Sequence, residues 1–223
     1  MTESKYTELF RFEADGMPED TFHVLGFKGT EALSSLFRFE INLVSKNKSL
    51  NLGALLAGNA KLTIKREGAP DAVFAGRPAA ARQTGCFGEY AYYSVTLRPA
   101  FWKFTQLVQS AVFLDKNAPD TVKEIFGAER FFPVKYEMRL DENAYPAQEF
   151  SMQHEESLYD YITWRMEREG AYFYFAPDGD TVIFSDSPQS HDGPAGTIYY
   201  SPATGLEGDK NGEVATDFSL CQM

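Results

Sequence analysis

Cysteine, histidine, positive charge and long apolar runs are all scarce in this 223-residue chain. Its two cysteines, Cys86 and Cys221, stand far apart and outside any Cys-x-x-Cys spacing. Neither a disulfide framework nor a zinc site is expected, and a reducing compartment fits. With 21 lysines and arginines against 32 acids the net charge is −11, a field that repels phosphate backbones and anionic headgroups. Nucleic acid and membrane surfaces are therefore not expected partners. The densest basic spots, Lys46 with Lys48 and Lys61 with Lys65 and Arg66, are too short for a binding stripe. No apolar run approaches the ~20 residues of a bilayer span. The start, MTESKYTELF, lacks a basic region followed by an apolar one, so no export leader is expected. Asn47-Lys48-Ser49 then matches a glycosylation acceptor in form only.

What the chain does have is aromatic and β-branched alternation, with 43% of residues hydrophobic and 15% aromatic. Phe37, Phe39, Ile41 and Leu43 alternate with Arg38, Glu40 and Asn42, which predicts a strand with one wet face. TFHVLGF reads as its partner across the loop from Lys28 to Ser35. AKLTIKRE, AVFAG and EYAYYSVTLRP follow, each bounded by Gly or Pro, so the chain up to about Pro99 reads as consecutive antiparallel strands closed as a small barrel. In APDTVKEIFG, Pro119 at a first-turn position, Asp120 and Glu124, an apolar face of Val122, Ile125 and Phe126, and Gly127 as a stop predict a short helix. Two strands are expected within 131–150, around the loop DENAYPAQ.

QHEESLYDYITWRMEREGAYFYF, residues 153–175, is the densest stretch. It predicts a strand ending near His154, then a helix capped by Ser157 with Asp160, with Leu158, Tyr161, Ile162 and Met166 at helical spacing and Gly170 as the stop. AYFYF returns to strand, Pro177-Asp178-Gly179-Asp180 is a turn, and TVIFSD closes a hairpin. On that hairpin Tyr172 and Tyr174 share one face, Phe173 and Phe175 the other. Two apolar faces mean a strand buried on both sides or one that meets a partner chain. From Pro188 onward the composition predicts loops with one strand near Thr197 to Tyr200.

Catalytic patterns fail against these residues. Glu156 and Glu167, if both on the helix, stand roughly 16 Å apart at ~1.5 Å per residue, beyond the ~5 to 9.5 Å of a glycosidase pair. Arg165 is placed to pair with Glu169, and the helix charges read as a solvated face. His154-Glu155 begins like HExxH, but Leu158 holds the place of the second histidine. His23 shares a strand face with Leu25 and Phe27, His191 sits in a Gly/Pro loop, and nothing places the three histidines together. No GxSxG elbow occurs, Cys86 has no adjacent histidine, and Gly26-Phe27-Lys28-Gly29-Thr30 lacks the order of a phosphate loop. No enzyme activity, cofactor or metal is expected.

Taken in order, FHVLGFKGTEALSSLFRFEINLVS, LLAGNAKLTI, FAGRPAAARQTG, YYSVTLRPAFWKF, APDTVKEIF and QHEESLYDYITWRMEREGAYFYF resemble the N-terminal hub region of VgrG. That family comprises the spike proteins of bacterial type VI secretion systems, related to phage tail-hub proteins. Departures fall at Gln148, where the family has arginine, at His154, where it has tyrosine, and at Trp164, which takes the slot of a helix arginine. The resemblance implies a β-rich α+β fold of two small antiparallel β-barrel-like domains with short helices, divided as 1–103 and 104–223. It also implies a homotrimer forming a pseudo-sixfold ring on the hexameric tube protein Hcp. Baseplate components and effectors or adaptors are further implied partners, with assembly in the bacterial cytoplasm followed by secretion through the apparatus. Such proteins continue into an OB-like neck and a β-helical needle, so a chain ending at Met223 is expected to be a hub portion. On this reading Trp164, Tyr172, Tyr174, Phe101 and Trp102 are the subunit-interface candidates. Two alternatives stay open: the baseplate hub of a phage tail or other contractile machine, and an enzyme or carbohydrate-binding module, which needs converging carboxylates or a groove of exposed aromatics.

Overall fold

Alternation of apolar and polar side chains drives the first half into one curled sheet. The computed structural model describes residues 9–66, 70–128, 133–191, 193, 199–200 and 214–215; Cys221 and most of the tail after Pro188 lie outside them. The first half comprises β1 (Phe10–Ala14), β2 (His23–Thr30), β3 (Arg38–Ser45), α1 (Leu52–Ala57), β4 (Ala60–Ile64), β5 (Ala72–Phe87) and β6 (Tyr90–Arg98). Its six strands are antiparallel in the order β1-β4-β5-β6-β3-β2. The expected β2–β3 pair is present, but the strands do not simply pair in sequence: β3 pairs with β6 and β1 with β4. Alternation dictates which face a strand buries, not which neighbour it takes. Bulges at Val24/Gly26, Pro78/Ala80 and Gln83/Gly85 bend the sheet. It curls until Phe10 of β1 meets Phe27 of β2, with ring centroids 5.2 Å apart.

Inside the curl lie Phe12, Phe37, Phe39, Ile41, Leu43, Leu55, Leu62, Tyr93, Val95 and Leu97. Each full burial of such a side chain contributes about 1.5–3 kcal/mol. A second core begins at Phe101, in the 3-10 turn Ala100–Gln106. Around it lie β7 (Val108–Lys116), α2 (Ala118–Ala128), β8 (Tyr136–Arg139), β9 (Gln148–Ser157), α3 (Leu158–Arg168), β10 (Tyr172–Phe175) and β11 (Val182–Ser185). β7 and β9 form an antiparallel ribbon, while β10 and β11 form the expected hairpin, to which β8 adds in parallel. The sheet order in this half is therefore mixed. β12 (Tyr199–Tyr200) pairs in parallel with β13 (Val214–Ala215).

Both helices predicted from sequence are present. α2 starts where Asn117 Oδ1 accepts the Asp120 N–H at 2.8 Å, and it runs through Gly127 to Ala128 rather than stopping at the glycine. α3 begins as its cap predicts, with Ser157 Oγ accepting the Asp160 N–H at 3.0 Å. It ends before Gly170, whose φ of 82° is the left-handed stop. β9 does not end at His154: it continues past a bulge, because Gln109 pairs with Glu156 and Val108 with Ser157.

The β10–β11 hairpin joins the two halves. Phe175 packs on Phe37, centroids 5.0 Å apart, and touches both cores. The Ser34 N–H donates to the Phe173 carbonyl at 2.8 Å, and the Ala75 N–H to the Gly179 carbonyl at 3.2 Å.

Candidate assembly surface

The side chains that carry the rejected catalytic patterns remain dispersed. Glu156 belongs to the end of β9 and Glu167 to α3, so they do not share a helix. Leu158 is buried in the second core. His23 is exposed on β2, His154 is exposed at the β9 bulge, and His191 stacks on Tyr174 with centroids 4.5 Å apart. Among the described residues no three His, Cys, Asp or Glu side chains gather where they could hold a metal ion.

Arg165 corrects the expectation of a solvated helix face. It lies one turn beyond Tyr161 and faces the core, so only 1% of it is exposed. Its Nη1 donates to Glu169 Oε1 at 2.9 Å, as the spacing predicts, while Nε and Nη2 have no partner among the described residues.

The five interface candidates separate into three groups. Phe101 is fully buried, ringed by Phe104, Phe126, Tyr159 and Phe173, and offers a partner no surface. Tyr172 and Tyr174 are half-buried, and the chain itself covers part of their face: the Tyr172 hydroxyl and His191 Nε2 lie 2.7 Å apart. The opposite face of that strand, Phe173 and Phe175, fills the core and the seam. Trp164, half exposed, and Trp102, half-buried with the Lys103 ammonium 5.0 Å from its ring, remain accessible.

A further exposed apolar surface lies outside those candidates. In the β7–β9 ribbon Phe113 and Ser151 point inward, and Tyr161 of α3 stacks on Phe113 with centroids 5.5 Å apart. The outward face carries two directly opposed pairs, Val112 with Met152 and Leu114 with Phe150. These four are 54%, 49%, 58% and 58% exposed. Among the described residues β7 and β9 pair only with each other, so both outer edges present unpaired backbone groups. An apolar face bounded by open strand edges is chemically suited to binding protein, not to a reaction. Its sequence signals are the run AVFL at 111–114, which makes both faces of β7 apolar, and the alternation of Phe150 and Met152 with Ser151 and Gln153.

A profile of the phage tail baseplate hub (GPD) family matches residues 30–222. This chain belongs to that family. Among curated proteins, the hub chain is 31% identical over 207 residues to the type VI secretion system spike protein VgrG1c of Pseudomonas aeruginosa, covering 91% of this chain and 28% of that protein. The hub chain spans under a third of the length of the curated relatives it matches. Among solved structures, an E. coli type VI secretion component, described as structurally similar to the T4 bacteriophage tail proteins gp27 and gp5, superposes with a TM-score of 0.74 at 21% identity. The match covers 87% of this chain and 53% of that one. A prophage tail protein from Shewanella oneidensis superposes with a TM-score of 0.57 at 12% identity, over 79% of this chain and 52% of that one. At these identities the structural likeness is one of fold, and that fold is the β-rich one of phage tail hubs. No helix among the described residues is long and apolar enough to cross a membrane.

Proposed function

We propose that this hub chain is the hub portion of a type VI secretion spike, one subunit of a homotrimer that docks on the hexameric tube protein Hcp and helps deliver effectors. The observation that carries this reading is similarity to a type VI spike protein along 91% of the chain. The exposed ribbon adds physical support, because an apolar face with open edges gains most by meeting another protein. The role is architectural: carboxylates and histidines are scattered over separate elements, and the aromatics fill two cores. Assembly takes place in the bacterial cytoplasm, and the apparatus then carries the spike out. The prophage tail neighbour favours one second reading, the baseplate hub of a phage tail, which differs in the tube it meets.

Fusing the chain to an unrelated trimerising helix raises the local concentration of the three copies, as a needle would. Such a fusion is expected to sediment as a closed trimer and to bind the Hcp hexamer. Independent hub units that ignore the tube would contradict the proposal. The purified chain should also cleave no glycan and hold no stoichiometric zinc; cleavage abolished by Glu156→Gln would overturn the architectural role.

A further inference from the structure

Three arginines stand in a row across the outer face of the six-stranded sheet. Register sets Arg98 of β6 opposite Arg77 of β5. On the other side of β6 Leu97 faces Phe39, which brings Arg38 of β3 beside Arg98. Like charges directly opposite one another destabilise a sheet. Arg38 is offset by Glu40 at 2.6 Å, and Arg77 Nη1 donates to the Ala57 carbonyl at 3.4 Å. Arg98 meets no carboxylate among the described residues; its guanidinium lies 5.8 Å from the Trp102 ring. Burial, and then the Arg38 charge, hold Arg98 below its usual range. On a chain of net −11, positive charge collects here, beside an accessible tryptophan.

The ribbon face has the opposite character. Along the strands, exposed Asp115 and Glu149 come one residue beyond its apolar pairs at one end, next to Leu114 and Phe150, and exposed Glu155 lies beyond the other. Asp115 and Glu155 both hold left-handed backbone, φ 53° and 47°, which is uncommon outside glycine and clusters at functional positions.

A ring of identical copies is built from one heterologous contact, so each copy must carry two different, complementary patches. We propose that the acid-flanked apolar ribbon of one copy docks on the arginine row beside Trp102 of the next. The inference rests on the homotrimer reading above and names the surfaces that make it. Arginine forks donate to carboxylates in bidentate geometry, while their stems and the tryptophan ring meet the ribbon's apolar side chains. The ribbon patch is on the order of a few hundred Å2, short of the roughly 800 Å2 per partner of a standard interface. It therefore suits a contact that holds when every subunit makes two of them. Local pairing of opposite charge also lets strongly acidic chains associate despite their mutual repulsion.

Two variants test the contact: a row variant, Arg38→Glu with Arg77→Glu, and a ribbon variant, Phe150→Lys with Met152→Lys. All four positions are at least partly exposed, and circular dichroism checks that both variants fold. Pairwise affinity is read by immobilising one species and flowing the other. Each variant should bind itself at least tenfold more weakly than wild type binds itself. Row variant and ribbon variant together should recover a 1:1 complex that grows no further, because one intact ribbon meets one intact row. If the mixture binds no better than either variant alone while wild-type fusions close into trimers, the contact is wrong and the homotrimer reading stands. Loss in the ribbon variant with full self-binding in the row variant would assign the ribbon to a different surface and overturn the proposal. Wild-type fusions that form no ring contact would remove the homotrimer reading and this contact with it.

Discussion

The two halves of the hub chain solve the same problem unequally. The first half closes on itself: six strands pair in one antiparallel sheet, its edges meet through Phe10 and Phe27, and its strands bury one apolar face, leaving Leu25, Phe87 and Tyr90 exposed. In the second half, three strands pack as a mixed sheet on helices, while β7 and β9 stand apart as a ribbon, apolar on both faces. A two-stranded ribbon is marginal alone. Here α3 supports one face, through Phe113 and Tyr161, and the other is left to solvent. The difference teaches that the half with an incomplete sheet offers an apolar face for assembly, while the complete half offers only its charged outer face and acts as frame.

The comparison breaks most visibly at the seam. Phe37 is fully buried and packs on Phe39 and Phe74 of its own half and on Phe175 of the other. Phe37→Ala should cost about 3–5 kcal/mol and split a single thermal transition into two, one per half; differential scanning calorimetry reads both. Next in size is Gly179, at φ 73°, where an added Cβ would stand 2.3 Å from the Val73 carbonyl oxygen across the seam. Gly170 has φ 82° with nothing within 4 Å of that position. Gly170→Ala should therefore cost only the backbone strain, about 1–2 kcal/mol, and Gly179→Ala clearly more, as measured by urea unfolding.

Smaller effects sharpen the account of the second half. Ser157→Ala removes the α3 cap at a cost of about 0.5–2 kcal/mol, read as a lower urea midpoint. Tyr145 donates to Asp186 Oδ2 at 2.9 Å, and burial together with that carboxylate pushes its pKa well above the ordinary value. The folded chain thus keeps this proton to higher pH than the unfolded chain does. Its contribution is complete below the unfolded value of about 10 and is lost as pH rises toward the folded one. Raising the pH from about 9 to about 11 should lower the Tm more in wild type than in Tyr145→Phe.

Much of this organisation was legible in the sequence wherever local chemistry decides. The alternation in β3, the Ser157 cap, the Gly170 stop and the turn at Asp178 act within a few residues, and the structure places them as the pattern predicts. Asp178 shows how local the turn is: burial raises its pKa, but the Thr181 hydroxyl and the Thr181 and Asp180 N–H groups outweigh it and hold the carboxyl below its usual range. What did not show was pairing across distance. β1 and β7 carry weak strand signals and exist because β4 and β9 complete them. The arginine row is invisible until register brings 38, 77 and 98 together. Burial of Arg165 and of Phe101 likewise depends on which elements close over them, which periodicity alone does not specify.

Amide hydrogen exchange, compared between the free chain and the trimerising fusion, tests the central claim most directly. The account predicts that β7 and β9 exchange readily in the free chain and become protected in the trimer. The centre of the six-stranded sheet, β3 and β6, should be protected in both. A ribbon that exchanges equally in both states would contradict the claim that the incomplete half supplies an assembly surface.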